Sequence, residues 1–408
     1  MKKPRRLFRF AGSAAVACMV AGCGALAGGV EGGGGAAMEY DNGFAFDLYA
    51  QLAKGKGNIF YSPLSVSVAM GMAYEGAKGE TAAEIGKVLR LDAGAVPLPP
   101  PLENFTGPDK VSDGAVLEFA NAAWAQQGFN FQASYIDILS KKYQADFNKV
   151  DFAADPEKVR GRINAWVAEK THEKIKDLIA SGVLNNMTRL VLTNAIYLKA
   201  LWMNQFKEQN TAKAPFFTDA EKSVETSLMK QTGSFAYAED DDVQVVELDY
   251  KGTKRLAMMV ILPRRKDGLA AVEAKLAAVK YTAWAAAMKH RRVELSLPKF
   301  KSECSFSLNN MLMAMGVREA FNEKKADFSG IDGEKDLFIS AVIHKAFVAV
   351  EEKGTEAAAA TAVVMTLKSA PMRQEEPVVF KADHPFLYLI REKTSGTILF
   401  LGRLSAPE

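Results

Sequence analysis

Four polar residues, Ser62, Ser65, Asn194 and His344, are of the types that enzymes use for nucleophilic catalysis. Neither a Gly-x-Ser-x-Gly turn, nor a His-Glu-x-x-His motif, nor a cluster of metal-ligating residues accompanies them in the sequence. His344 falls on the apolar face of a strand-like segment, and Asn194 falls inside another apolar segment. We therefore interpret these residues as structural, and we predict a protein that is not an enzyme and needs no metal or cofactor.

A fifth candidate for chemistry is a cysteine near the N-terminus. Five basic residues occupy the first nine positions, and the apolar run of residues 10–22 is far shorter than the roughly 20 residues that cross a bilayer. The run ends in Val20-Ala21-Gly22-Cys23, which resembles the lipobox of bacterial lipoproteins. This resemblance implies a signal peptide over residues 1–22 and a lipid anchor on Cys23. The alternative is cleavage after a small residue such as Ala27, which would release a secreted, extracellular protein.

The other cysteines agree with an exported protein. Cys18 lies within the predicted signal peptide, so Cys304 alone remains for the folded body and no internal disulfide is expected. Residues 23–37 are rich in glycine, a composition that forms a flexible tether. We predict a cell-envelope lipoprotein whose single folded domain spans residues 38–408.

The net charge of +3 originates at the N-terminus. Without its five basic residues, 46 Lys and Arg residues face 48 Asp and Glu residues. A balance of this kind is not typical of proteins that bind nucleic acid. One local exception, the run Lys289, His290, Arg291 and Arg292, is interpreted as a solvated surface.

Helical signals are distributed along the chain. Ser62 followed by Pro63 is typical of a helix start, because serine accepts a hydrogen bond from a first-turn amide and proline loses none at the first position. The patterns predict helices over residues 62–76, 81–91, 133–143, 156–180 and 306–315. Several prolines between residues 97 and 108 predict a loop in that stretch.

Strand-like segments are interleaved with these helices without regular βα alternation. Residues 189–199 form an apolar run that predicts a central strand buried on both faces. Two runs within residues 243–263 predict a hairpin around Gly252, and residues 386–391 and 397–402 predict another at the end of the chain. The mixture indicates an α+β fold with a large sheet.

One segment does not fit its surroundings. Residues 337–350 alternate as a strand should, with His344 on the same face as Val342 and Ala346. Residues 351–361 then contain no bulky apolar side chain. Alanine favours helix by propensity, but so small a set of side chains has little to pack against as an exposed helix.

The sequence here resembles the serpin family, from about residue 41 to residue 407. The resemblance rests on four separated motifs in the family's order: Asn58-Ile59-Phe60-Tyr61-Ser62-Pro63-Leu64-Ser65, Thr193-Asn194-Ala195-Ile196-Tyr197-Leu198-Lys199-Ala200-Leu201-Trp202, Gly354-Thr355-Glu356-Ala357-Ala358-Ala359-Ala360-Thr361 and Asp383-His384-Pro385-Phe386-Leu387. It implies an α+β fold of three β-sheets with about nine helices and an exposed reactive-centre loop over about residues 353–377.

In inhibitory serpins a protease cleaves this loop, and the N-terminal part of the loop then inserts into the central sheet while the protease remains attached as an acyl intermediate. The resemblance places the hinge of that insertion at Glu352, Gly354, Thr355, Glu356, Ala357, Ala358, Ala359, Ala360 and Thr361. Every second residue from Thr355 to Leu367 must face the core, and all seven are small or apolar. No proline interrupts residues 354–368. We predict an irreversible inhibitor, in which Thr355 enters the sheet early after cleavage.

The resemblance also implies structural roles for residues outside the loop. Ser62, Ser65, Asn194 and His344 match the "shutter" below the insertion site. Trp202 and Lys299 match the "breach", where insertion begins. We expect Glu352 to pair with Lys299, with a solvated charge as the alternative.

Family spacing from Gly354 places the reactive bond between Lys368 and Ser369. A cation at this position suits trypsin-like serine proteases, whose specificity pocket holds a carboxylate. Arg373 is an alternative site, and Leu367 would indicate chymotrypsin-like targets. A noninhibitory, binding serpin and an inhibitor of cysteine proteases remain alternatives.

Activation by a glycosaminoglycan is not supported, because residues 92–116 contain Lys110 as their one basic residue. We expect a monomer whose partners are the target protease and, through the lipid, a membrane.

Overall fold

A computed structural model describes residues 41–91, 115–219, 221–252, 255–355 and 376–407. The predicted α+β fold is confirmed in these residues. The helices are α1 (Gly43–Leu52), α2 (Pro63–Gly76), α3 (Gly79–Val88), α4 (Ala133–Tyr143), α5 (Pro156–Lys170), α6 (Leu269–Ala274), α7 (Ala278–Ala287), α8 (Asn309–Met315) and α9 (Ser329–Asp332). The strands are β1 (Ile59–Tyr61), β2 (Ala115–Gln126), β3 (Asp146–Val150), β4 (Leu190–Leu201), β5 (Ala212–Phe217), β6 (Ser223–Glu239), β7 (Val243–Asp249), β8 (Leu256–Pro263), β9 (Lys289–Pro298), β10 (Phe300–Ser307), β11 (Ile339–Glu351), β12 (Gly354–Thr355), β13 (Val378–Lys381), β14 (Phe386–Glu392) and β15 (Ile398–Leu404).

A six-stranded sheet in the order β10-β11-β12-β4-β2-β3 carries the candidate site. Helix α5 packs on one face of this sheet, where Ile163 and Val167 join Trp124 of β2 and Ala195 of β4 in one apolar cluster. Helix α2 contacts β4 and also β15 of the second sheet. Strand β4 is thus covered on both faces, which its continuous apolar sequence predicts.

The second sheet has nine strands, in the order β1-β15-β14-β8-β7-β6-β9-β13, with β5 paired to β6. The described strands therefore form two hydrogen-bonded sheets, whereas the sequence led us to expect three. The reason is the length of β6: residues 223–228 pair with β5, residues 228–237 with β9 and residues 236–239 with β7. One long strand thereby joins two groups of strands into a continuous ladder.

Local signals determine several helix ends. The Ser62 side chain accepts a hydrogen bond from the Ser65 amide, and Pro63 is the first residue of α2, as predicted. The helix predicted over residues 156–180 ends at Lys170. The backbone turns left-handed at His172 (φ 49°) and Glu173 (φ 61°), and the Thr171 hydroxyl donates to the Val167 carbonyl at 2.7 Å, which together terminate the helix.

The helix predicted over residues 306–315 is also shorter than expected. Residues up to Ser307 belong to β10, which pairs with β11 from Phe300 to Ser307, and α8 begins at Asn309. Pairing with a long neighbouring strand has overridden the helical spacing of this segment. The other predicted strands and hairpins are present with ends within a few residues of those expected.

Candidate functional site

The central feature of the site is a fork in the six-stranded sheet. At one end, β11 and β4 pair directly in parallel, from Ile339 with Leu190 to Ile343 with Thr193. At the other end the short strand β12 lies between them: Thr355 pairs with Val350 on one side and with Ala200 on the other. The two long strands therefore diverge along their length, and the chain that follows β11 already occupies the wide end.

Gly354 permits this close approach of three strands. A Cβ atom at this position would lie 2.1 Å from the Ala200 carbonyl oxygen and 2.7 Å from the Leu201 Cα. Both are backbone atoms of a paired strand, so they cannot move away to relieve the clash. Glycine is therefore required where the chain turns back between β4 and β11.

Thr355 is buried, with 1% of its surface exposed. Its hydroxyl forms a hydrogen bond of 2.6 Å with the Tyr250 hydroxyl. We expected Thr355 to enter the sheet early after cleavage, but the uncleaved chain already pairs it on both sides. Complete burial also raises the pKa of Tyr250, although the bond to Thr355 opposes this, so its phenol is neutral at physiological pH.

Trp202 fixes the turn that leads into β12. Its indole stacks on Tyr250 with ring centroids 4.7 Å apart, and its Nε1 donates to the Glu351 carbonyl at 2.9 Å. The Trp202 amide donates to the Lys353 carbonyl, also at 2.9 Å. Trp202 belongs to one of the four family motifs, whereas Tyr250 was not predicted, because it lies in an isolated bridge after β7 that no motif marks.

The expected pair between Lys299 and Glu352 is present. The Lys299 Nζ atom lies 2.8 Å from Glu352 Oε2, and the Thr211 hydroxyl donates to Glu352 Oε1 at 2.9 Å. Burial by itself raises the pKa of Glu352, but the hydrogen bonds from Lys299 and Thr211 outweigh it and the net pKa is lowered. The pair attaches the turn before Gly354 to the end of the β9–β10 connection.

The residues of the predicted shutter lie together at the start of the fork, one residue beyond the last direct pair of β11 and β4. The Ser62 amide donates to His344 Nε2 at 2.9 Å, and the Ser65 amide donates to Ser62 Oγ at 3.1 Å. The Ser65 hydroxyl donates to Asn194 Oδ1, and the Asn194 amide in turn donates to Asn121. These bonds connect the start of α2 to β11, β4 and β2.

This arrangement lacks the geometry of a serine hydrolase. A catalytic histidine accepts a proton from the serine hydroxyl, whereas here His344 accepts from a backbone amide and the Ser62 hydroxyl caps a helix. Burial lowers the pKa of His344 to about 4, so the imidazole is neutral at physiological pH. Its role is to hold β11 against α2.

Several predicted residues lie outside the described part of the chain. They are Cys23, Glu356, Ala357, Ala358, Ala359, Ala360, Thr361, Leu367, Lys368, Ser369 and Arg373, together with the predicted signal peptide and tether. The described chain resumes at Glu376 and enters β13, whose Val378 pairs in parallel with Val293 of β9. Within the described ranges no helix is long and apolar enough to cross a membrane, and no three His, Cys, Asp or Glu side chains are grouped to bind a metal ion.

Comparisons with known proteins give a consistent result. A family model described as "Serpin (serine protease inhibitor)" matches residues 39–407. An uncharacterized serpin-like protein of Thermococcus kodakarensis is 42% identical over 372 residues, covering 90% of this chain and 85% of that protein. The leukocyte elastase inhibitor of Homo sapiens is 40% identical over 375 residues, covering 89% and 97%. The crystal structure of uncleaved ovalbumin superposes with a TM-score of 0.81 at 28% identity, covering 91% of this chain and all of that one.

Proposed function

The chain belongs to the serpin family, and from this premise we propose that it irreversibly inhibits trypsin-like serine endopeptidases as a suicide substrate. The protease would cleave the reactive loop between Lys368 and Ser369. The hinge would then insert between β4 and β11 before the acyl-enzyme is hydrolysed. The observation that carries the proposal is the position of β12 between β4 and β11. This position corresponds to the first step of such an insertion.

The strand register supports further insertion. Thr355 lies level with Val350 and Ala200, and the direct β11–β4 ladder ends at the level of Ile343 and Thr193. Between these levels each strand has six residues, 344–349 on β11 and 194–199 on β4. No strand of the described residues lies between these two stretches. Residues 356–361 match them in number, and a strand placed there would complete the ladder on both sides.

The side chains of that segment suit the environment they would meet. Paired residues of antiparallel strands share a face, so every second residue after Thr355 would face the core. Continuing the register places Thr361 level with His344 and Asn194, and its hydroxyl would meet the polar shutter. Ala357 and Ala359 would occupy the core-facing positions between Thr355 and Thr361.

Beyond Thr361, insertion must separate strands that are now paired. Residues 362–367 would replace the direct contacts between Ile343 and Thr193 and those that precede them on each strand. Because Gly354 and Thr355 are already in the sheet, insertion of residues 356–367 would carry an attached protease about 40 Å, since a strand advances ~3.3 Å per residue. A displacement of this size can distort the protease active site and prevent release of the acyl group.

Target specificity is proposed from the reactive bond. Lys368 would enter a pocket whose buried carboxylate is left unpaired by an aliphatic residue, which favours trypsin-like enzymes. Cleavage after Arg373 would give the same class of target, and cleavage after Leu367 a chymotrypsin-like one.

Incubation with a panel of serine and cysteine proteases tests the proposal. We expect trypsin to form a complex that survives denaturing gel electrophoresis, and the released C-terminal peptide to begin at Ser369. Lys368→Ala should slow trypsin inhibition by orders of magnitude, whereas Arg373→Ala should change it little. A peptide beginning at Gln374 would move the reactive bond, and a complex with cysteine proteases alone would change the target class.

Cleavage by trypsin without a stable complex would instead indicate a noninhibitory, binding serpin.

We also propose that the protein is exported as a monomer and anchored through a lipid on Cys23, which places inhibition at the cell envelope. A secreted form cleaved after Ala27 is the alternative.

A further inference from the structure

Helix α7 has an exposed face without charge. Val279, Thr282, Ala283, Ala286 and Ala287 are exposed, and their spacing of three and four residues places them on one side of the helix. Val279 is 80% exposed, the highest value for a large apolar side chain in the described ranges. We call these five residues the α7 face.

Other surface helices of the protein do not share this composition. Helix α4 exposes Asp137, Lys141 and Lys142, and α5 exposes Glu157 and Lys158. A charged outer side is the usual pattern of a helix that packs on a core and faces water. The α7 face therefore suits a neighbour that is less polar than water.

Charges beside the α7 face already have partners. Within α7 the one charged residue is Lys280, which pairs with Asp240 at 3.6 Å. Glu273 is the one acidic residue between residues 268 and 293. Its Oε1 atom accepts hydrogen bonds from the Tyr49 hydroxyl at 2.5 Å and from Arg403 at 3.0 Å. An anionic surface brought against α7 would therefore meet no unpaired carboxylate from this segment.

The N-terminal chain enters the folded body beside α7. The Asn42 side chain and the Tyr281 hydroxyl of α7 both donate to the Gly396 carbonyl, each at 2.9 Å. Phe46 of α1 also packs against the Tyr281 ring, with centroids 6.0 Å apart. Whatever holds the chain before Asp41 therefore holds it close to α7.

The proposed lipid is within reach of this helix. Residues 24–40 separate Cys23 from Asp41, which allows at most about 60 Å between these two residues. A sequence so rich in glycine is expected to span ~23 Å on average. The bilayer that holds the lipid would therefore stay near α7, and a short tether makes even a weak contact effective.

We propose that the α7 face docks on the bilayer into which the Cys23 lipid is inserted. This inference rests on the proposed function, because it takes the lipid anchor as given. The apolar side chains would enter the boundary between the headgroups and the acyl chains, as the apolar side of an interfacial helix does. Docking would hold the inhibitor in one orientation on the envelope, whereas the tether alone would let it rotate.

A fluorescent reporter on the α7 face tests this contact. The lipidated full-length protein, with Cys304→Ser to remove the remaining thiol, carries an NBD dye at Ala286→Cys and is reconstituted into vesicles of phosphatidylethanolamine and phosphatidylglycerol. We expect a nitroxide-labelled lipid to quench about half of the emission. The matched control carries the dye at Ala165→Cys, an exposed position on α5, and should be quenched very little.

Carboxylates on the α7 face should prevent docking. V279E/A283E should lower the quenching at Ala286→Cys about fivefold, because a charged group resists transfer out of water. A165E should leave this quenching unchanged. Raising the salt concentration should also leave it largely unchanged, since the contact is apolar. All variants should inhibit trypsin equally in detergent solution.

Equal quenching of the two reporters, or quenching of neither, would overturn the docking surface while leaving the anchor and the inhibitor intact. Quenching that high salt abolishes would indicate electrostatic adhesion and would overturn it as well. A mature chain that mass spectrometry shows to lack the lipid would instead refute the proposed anchor and, with it, this docking.

Discussion

Thr355 is a small residue in a closed environment, and its substitution separates recognition from trapping. A guanidinium at this position would have to be buried against Tyr250 without an opposite charge, which costs several kcal/mol. We expect Thr355→Arg to expel β12 from the sheet and slow insertion until the acyl-enzyme is hydrolysed. Trypsin should cut the variant at the same bond at a similar initial rate, yet form no denaturation-resistant complex.

The matched control is Thr355→Ser, which keeps the hydroxyl that bonds to Tyr250 and should trap trypsin at close to wild-type stoichiometry. Unchanged stoichiometry for Thr355→Arg would show that insertion at this position is not the inhibitory step.

His344 makes the stability of the fold sensitive to acid. Burial holds its pKa at about 4, below the ordinary value of 6.5, so between these pH values the unfolded chain binds more protons than the folded one. Its contribution is fully present above pH 6.5 and is lost as the pH falls toward 4. We expect the wild type to lose about 2 kcal/mol of unfolding free energy between pH 7.5 and pH 5 from this residue alone.

Urea denaturation of the wild type and of His344→Gln, at constant ionic strength, measures this contribution. Glutamine can still accept from the Ser62 amide but does not titrate, so the variant should show a flatter pH dependence whatever its absolute stability. His290→Gln, which alters an exposed histidine, should retain the wild-type dependence. Parallel curves for the wild type and His344→Gln would contradict the buried neutral imidazole.

Strands β4 and β11 act as the two sides of a fork that must open further for full insertion. Thr193 and Ile343 form the last direct pair before the fork, and adjacent strands are about 4.8 Å apart, within the Cα range of a disulfide. We expect T193C/I343C, in a Cys304→Ser background, to allow insertion as far as Thr361 and no further. The oxidised variant should therefore be cleaved by trypsin without forming a stable complex.

Reduction provides the internal control for this staple. After treatment with dithiothreitol the same sample should trap trypsin, and the parent Cys304→Ser protein should trap it under both conditions. Trapping by the oxidised variant, with the disulfide verified by mass spectrometry, would mean that β4 and β11 need not separate below Thr361.

Among the described residues, the six-stranded sheet is one long strand short of a complete ladder, and under the proposed mechanism the whole molecule would store free energy for this reason. Strand β12 supplies two residues of that strand, and the described register leaves six residues on each of β11 and β4 without a described strand between them. Filling the gap adds backbone hydrogen bonds on two sides, so the cleaved and inserted form is expected to be the more stable one. We expect the uncleaved fold to persist because the shutter bonds from α2 hold β11 and β4 together at the start of the fork.

The anchor can be tested independently of this mechanism. Cys23→Ala should block lipidation and move the protein from the membrane fraction to the soluble fraction, with trypsin inhibition unchanged because the tether precedes the folded body. Metabolic labelling with a fatty acid should mark the wild type and not the variant. A soluble wild type whose mature N-terminus lies beyond Cys23 would contradict the anchor and leave the inhibitor proposal intact.

Features that depend on neighbours in the chain could be predicted from the sequence. The Ser62 cap and Pro63 fix the start of α2 within one turn. The continuous apolar sequence of β4 and the alternation of β11 follow from burial on two faces and from the period of a strand. The small side chains after Gly354, and the absence of proline there, predict a segment able to enter a sheet, and Gly354 and Thr355 are the part of it that the structure describes in a strand.

Features that depend on pairing between distant segments were decided only by the tertiary structure. Strand β10 replaces the first part of a predicted helix because pairing with β11, a partner outside the segment, outweighs its local helical preference. The partnership of Thr355 with Tyr250, 105 residues apart, and the continuous ladder through β6 have no local signal. These contacts depend on the register between two strands, and a register exists only once both strands are in place. Residue types can therefore indicate that a segment suits a sheet, but they do not identify the strands with which it pairs.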